Sequence, residues 1–148
     1  MVTVAFYKGR GSAWDNFWAD LIRWWTGGPY SHVEVITKTN AEGQSFCYSS
    51  VFKEKGIRGK WRDLAVGDWD FVDVDVDPLQ VEAWFVAHAG AKYDLLGLLG
   101  FVFRREEYDH NKYFCSEAVA DAIGLGEGWR YDPNALKPIV DFLSKYKD

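Results

Sequence analysis

Strand-like and helix-like periodicities are segregated along this chain, and that order restricts the folds open to it. Val2 to Tyr7 is a short apolar strand, broken by Gly9-Arg10-Gly11. Ser12 suits a helix N-cap, and Trp14, Phe17, Trp18, Leu21, Ile22 and Trp25 then recur at helical spacing. Gly27-Gly28-Pro29 ends that helix. A second strand runs from His32 to Thr37, a turn from Asn40 to Gly43, and a third strand from Ser45 to Val51. Lys53 to Lys60 is polar with two glycines and reads as a loop with a short extended piece. Asp68 to Asp75 alternates apolar and acidic residues with one slip of phase at Phe71-Val72, the pattern of a bulge. The rest is helical: Pro78 to about Ala91, an apolar segment Leu95 to Phe103, Cys115 to Ile123 closed by Gly124, and Asp132-Pro133 to about Tyr146. Arg104 to Lys112 is charged and expected to be exposed. Strands first and helices after indicate an α+β fold, an antiparallel sheet packed against helices in one domain over residues 1–148.

Composition narrows the function classes. Hydrophobic residues make up 48% and aromatic residues 18% of 148, so a dense core is expected, with most of the eight tryptophans inside it. The net charge of −5 and the lack of a basic run argue against nucleic acid as a partner. No apolar stretch approaches the ~20 residues of a membrane span. The N-terminus lacks the basic start, apolar core and cleavage site of a signal peptide. Two cysteines make no disulfide framework, so reduced thiols in a cytosolic compartment are expected.

Chemistry concentrates in two segments. Pro29-Tyr30-Ser31-His32-Val33-Glu34-Val35-Ile36 puts a histidine at the head of a strand. Tyr113-Phe114-Cys115-Ser116-Glu117-Ala118 puts a cysteine at the head of a helix. A thiol there feels the unpaired N–H groups and the positive end of the helix dipole, which favour the nucleophilic thiolate. An imidazole on a rigid strand can serve as its base. The pair points to covalent acyl transfer. Glu34, two residues after His32, shares its strand face and either flanks the site, raising the imidazole pKa, or pairs with a surface cation. Tyr113 lines the pocket, donates to an oxyanion, or packs in the core. Trp24, off the main helical stripe, could line a cleft. Cys47 sits mid-strand and reads as structural, His88 as packed or capping, and His110 as solvated. Asp73 and Asp75 share a strand face, but nothing is spaced to complete a metal site, so no metal or cofactor is implied.

These motifs, in this order, resemble the circularly permuted NlpC-type, papain-like fold, which includes lecithin:retinol acyltransferase relatives and bacterial amidase-like proteins. The stretches that carry the resemblance are Ile22-Arg23-Trp24-Trp25, Pro29 to Glu34, Cys47-Tyr48-Ser49-Ser50, Gly90-Ala91-Lys92-Tyr93-Asp94 with Leu98-Leu99-Gly100, and Phe114 to Glu117. His32 precedes Cys115, the permuted order. Small proteins of bacteriophages and prophages are the nearest look-alikes. The resemblance implies Cys115 as nucleophile, His32 as base, and a third polar residue on the following strand. Relatives often carry a carboxylate, amide or histidine there; this chain offers Ser49 or Ser50, with Ser49 favoured. Tyr93 matches a recurrent family tyrosine, with a buried anchor as its default reading.

The resemblance implies a cysteine-dependent hydrolase of amide or peptide bonds, bacterial cell-wall peptide being the favoured case. A lipid ester or thioester acyltransferase or thioesterase is the first alternative. A non-catalytic phage structural or host-interaction domain is the second. The partner implied is a small-molecule, peptide or peptidoglycan substrate, and the location is the host cytoplasm or the virion.

Overall fold

The computed structural model describes residues 1–94 and 111–146. Its elements are β1 (Val2–Tyr7), α1 (Ala13–Thr26), β2 (His32–Thr39), β3 (Ser45–Val51), β4 (Gly56–Arg62), β5 (Trp69–Val74), α2 (Pro78–Ala87), β6 (Lys92–Tyr93), β7 (Lys112–Tyr113), α3 (Cys115–Ala122) and α4 (Pro133–Lys145). The seven strands form one sheet in the order β5-β1-β2-β3-β4-β6-β7. Every neighbouring pair is antiparallel except β6–β7, which is parallel. The architecture is mixed α+β, a sheet packed against helices. The segment Leu95 to Phe103, most of Arg104 to Lys112, and His110 lie outside the described residues.

One face of the sheet meets the helices. Val2, Val4 and Phe6 of β1 and Val33 and Val35 of β2 pack with Val81 and Phe85 of α2, Ala118 and Val119 of α3, and Leu136 and Val140 of α4. The small side chains of α3 let its backbone lie close to β2 and β3, and every residue from Cys115 to Ala120 is buried. The opposite face carries a smaller apolar cluster of Ala5, Ile36, Cys47 and Trp69.

Strand β4 corrects the loop expected over Lys53 to Lys60. It pairs with β3 along its whole length, from Ser45↔Arg62 to Val51↔Gly56. Its Gly59 lies opposite Tyr48, whose ring covers it; a Cβ there would sit 2.4 Å from a ring carbon. The glycine that reads as a loop signal is a strand residue making room for an aromatic neighbour. The bulge expected at Phe71-Val72 is absent, for β1 and β5 pair in unbroken register from Val2↔Val74 to Tyr7↔Trp69. Trp69 packs on one face of the sheet while Val72 and Val74 pack on the other, and this use of both faces produced the apparent slip. The one β2–β3 irregularity falls between Ile36 and Lys38.

Helix α1 begins as expected, with the Ser12 hydroxyl accepting from the Asp15 N–H at 3.3 Å, and ends at Gly27 in the left-handed region (φ 71°). Much of its apolar stripe is left uncovered. Phe17, Leu21 and Trp25 are exposed, as are Trp61 and Trp129, which corrects the expectation that most tryptophans are core. The periodicity identifies a helix; it does not guarantee a surface to cover it. Helix α2 stops at Ala87, short of the expected Ala91, where His88 caps it and its ring stacks on Trp84. No helix among the described residues is long and apolar enough to cross a membrane.

Candidate active site

Two segments distant in sequence converge here. Strand β2 opens at His32, paired with Tyr7, and the preceding Ser31 N–H donates to the Tyr7 carbonyl at 3.0 Å. Arg23 secures that approach from α1, donating to Pro29 O at 2.8 Å and Gly9 O at 2.6 Å. Cys115 is the first residue of α3, fed by β7 through an extended Phe114 (φ −92°, ψ 172°). The phenyl group of Phe114 has no acceptor for a cap, so only half of a capping box exists: the Phe114 N–H donates to the Glu117 carboxylate at 3.4 Å. Ser116 Oγ donates to Tyr131 O at 2.6 Å and fixes the first turn. The first intrahelical bond runs from the Ala118 N–H to Phe114 O at 3.1 Å, so the Cys115 N–H lies ahead of the helical ladder.

The imidazole of His32 lies close enough to the Cys115 thiol for the two to interact electrostatically. Its Nε2 lies 3.0 Å from Oε1 of Glu34, and since an ionised carboxylate only accepts, Nε2 carries the proton. Nδ1 is then the nitrogen left for the sulfur. Burial works against a charged His32, but the Cys115 sulfur and the hydrogen-bonded Glu34 carboxylate outweigh it and raise its pKa to about 9.

Glu34 is fully buried, at 0% exposure. Besides His32, its carboxylate accepts from Arg58, Nη2 to Oε1 at 2.6 Å and Nη1 to Oε2 at 3.3 Å, and from Nη1 of Arg62. Burial alone would raise its pKa; His32 and Arg58 overcome that and hold it well below the ordinary carboxylate range. Both readings of Glu34 therefore apply: it flanks the imidazole and it pairs with cations.

Glu34, on the histidine strand itself, meets the imidazole, and Ser49 on the following strand does not. The Ser49 hydroxyl donates to Val33 O at 2.7 Å and the Ser50 hydroxyl to Tyr113 O, so both buried serines serve the backbone instead of the imidazole. The strand register explains the correction: β2 pairs Val35 with Tyr48, which leaves Ser49 beside the main chain of its neighbour. Ser50 nevertheless holds the β7 residue that leads into Phe114 and Cys115.

Tyr113 is buried, with its ring edge-on to Trp84 and His88 at 5.2 and 5.4 Å. Trp24 is 74% exposed, against Trp25. Tyr93 senses the same thiol: burial first, then the charges of Cys115 and Asp94, raise its phenol well above the usual value. Cys47 is held apart in chemistry. Burial and then the Glu34 carboxylate push its thiol up to about 12. Among the described residues, no three histidine, cysteine or carboxylate side chains converge to hold a metal ion.

Arg58 escapes the sequence reading because its segment, Lys53 to Lys60, reads as a loop, and Arg62 because it lies beyond that segment in no assigned element. The available signal was the alternation of Ile57, Gly59 and Trp61 with Arg58, Lys60 and Arg62. Comparison with known proteins finds no family model and no curated protein that matches the chain.

Proposed function

We propose that the chain is a cysteine-dependent acyl-transfer enzyme of the permuted papain-like fold, hydrolysing an amide or peptide bond, with bacterial cell-wall peptide as the favoured substrate. The observation that carries this reading is the convergence of Cys115, His32 and Glu34, a thiol at a helix start beside an imidazole that is hydrogen-bonded to a buried carboxylate. The Cys115 thiolate attacks the carbonyl carbon. The resulting oxyanion is met by the Cys115 N–H at the positive end of α3. His32 then gives its proton to the departing amine as the C–N bond breaks, leaving a thioester on Cys115. Water, deprotonated by His32, attacks the thioester and releases the carboxylic acid and the thiol. Glu34 keeps the imidazole in the tautomer with the proton on Nε2.

The second reading is a non-catalytic phage structural or host-interaction domain, and the 2% exposure of Cys115 favours it. A panel of peptidoglycan fragments, γ-glutamyl and isopeptide amides and acyl thioesters separates the two. Wild type is expected to turn over one class and to form a thioester adduct visible in its intact mass. Cys115→Ala and His32→Ala should each abolish this, and the double variant should lose no more, because nucleophile and base act as a unit. Identical behaviour of wild type and Cys115→Ala on every substrate would establish the non-catalytic reading.

A further inference from the structure

Resting on the proposed role of His32 as base, we infer that Arg58 is a positioning residue of the site: its guanidinium holds Glu34 ionised and aimed at Nε2 of His32. The geometry is that of a clamp. Two nitrogens of Arg58 meet the two oxygens of Glu34, at 2.6 and 3.3 Å. Nη1 also donates to the Cys47 carbonyl at 3.1 Å, and Nε to Oε2 of Glu54 at 2.6 Å. One side chain from β4 thus ties together β2, β3 and the turn Phe52–Glu54 that follows β3. Its planar fork fixes direction as well as charge, which an ammonium cannot do. Arg58 is the better buried of the two arginines, its side chain 12% exposed against 31% for Arg62.

A carboxylate with no exposure needs such a partner. Without it, burial favours the neutral acid, which no longer supports an imidazolium. The charged and titratable groups around the pair are Cys115 from α3, Tyr93 from β6, Cys47 from β3, Arg58 and Arg62 from β4, and Glu54, which reaches Arg58. The two possible roles of Arg58 differ in sign. Acting only as a nearby cation, it would lower the pKa of His32, and its removal would raise it. Acting through Glu34, it supports the imidazolium, and its removal lowers the pKa.

The test is a pH titration of the imidazole nitrogens by NMR in the full chain, which has three histidines. The His32 signals are assigned by their loss in His32→Gln. Arg58→Met should move the His32 midpoint down by about one unit or more, and Glu34→Gln should do the same. The double variant Glu34→Gln with Arg58→Met should match Glu34→Gln alone, as expected of residues acting through one another. Arg58→Lys, which keeps the charge and the fold but loses the fork, should fall between wild type and Arg58→Met. Should Arg58→Met not fold, Arg58→Lys and the double variant carry the comparison. A His32 midpoint that rises, or stays within about 0.3 unit of wild type in Arg58→Lys and Arg58→Met, overturns the proposal, as do fully additive shifts. The readout needs no turnover: a protein inert on every substrate that still shows these shifts refutes the enzymatic reading and leaves the positioning role standing.

Discussion

The two cysteines of this chain occupy opposite electrostatic settings although both are buried. Cys115 begins a helix and interacts with an imidazole whose proton is held by Glu34. Cys47 faces the Glu34 carboxylate itself, and burial and that charge push its thiol up to about 12. At pH 7 such a thiol stays protonated. Iodoacetamide labelling of the folded protein, mapped by mass spectrometry, should therefore modify Cys115 first; preferential labelling of Cys47 would reverse the assignment. Glu34 makes its own prediction. Its pKa in the folded chain lies well below the ordinary 4.5, so below pH 4.5 the unfolded chain takes up a proton that the native chain refuses. The stabilisation is complete above that value and fades as the pH falls. Urea midpoints should drop between about pH 4.5 and 3 in wild type and drop less steeply in Glu34→Gln. The cysteine and histidine of the candidate site were legible in the sequence because each stands at the terminus of a periodic element. Glu34 was legible too, two residues on and on the same strand face; its cation partners Arg58 and Arg62 were not, because only the pairing of β4 with β3 brings them to it.

Element by element, the sequence is most readable where an end is marked by chemistry. Ser12 and Gly27 bound α1, and Asp132 caps α4 by accepting from the Asn134 and Ala135 N–H groups, both at 2.8 Å. It is least readable at β4, whose glycines and charges mimic a loop although the strand matches β3 residue for residue. The cause is a cross-strand fit that no single segment displays. Tyr48 lies over Gly59 and stacks on Phe85 of α2 with ring centres 4.9 Å apart, so the tyrosine cannot swing aside cheaply. Gly59→Val should therefore cost about 1–3 kcal/mol through overpacking, despite the strong strand preference of valine. Gly67→Ala, where nothing lies near the added methyl group, should cost nothing or gain a few tenths of a kcal/mol. Urea unfolding of both variants checks the pair. A stabilising Gly59→Val would mean that Tyr48 repacks freely and that Gly59 is there for another reason.

Across the whole molecule, one amide adds hydrogen bonds to the apolar packing that joins the first and last thirds of the chain. The Asn134 side chain accepts from the Tyr30 N–H at 2.9 Å and donates to Tyr30 O at 2.9 Å and to Thr26 Oγ1 at 2.5 Å. It thus satisfies both backbone groups of Tyr30 as a neighbouring strand would, and it docks the N-terminus of α4 against the connection from α1 to β2. That connection delivers His32, so the same amide joins global stability to the site. Asn134→Ala strands a partly buried N–H and C=O and should cost about 2 kcal/mol, read as a lower urea midpoint with an unchanged slope. The site itself has other moorings: the Ser31 N–H to Tyr7 O, the Arg23 bonds to Pro29 and Gly9, and the unbroken β1–β2 register from Thr3↔Ile36 to Tyr7↔His32. Under native conditions, alkylation of Cys115 in Asn134→Ala should therefore stay within about twofold of wild type, because folded molecules keep the His32–Glu34 geometry while fewer survive denaturant. A large fall in alkylation with little change in midpoint would show the reverse arrangement, with Asn134 serving the site and the sheet alone holding the fold.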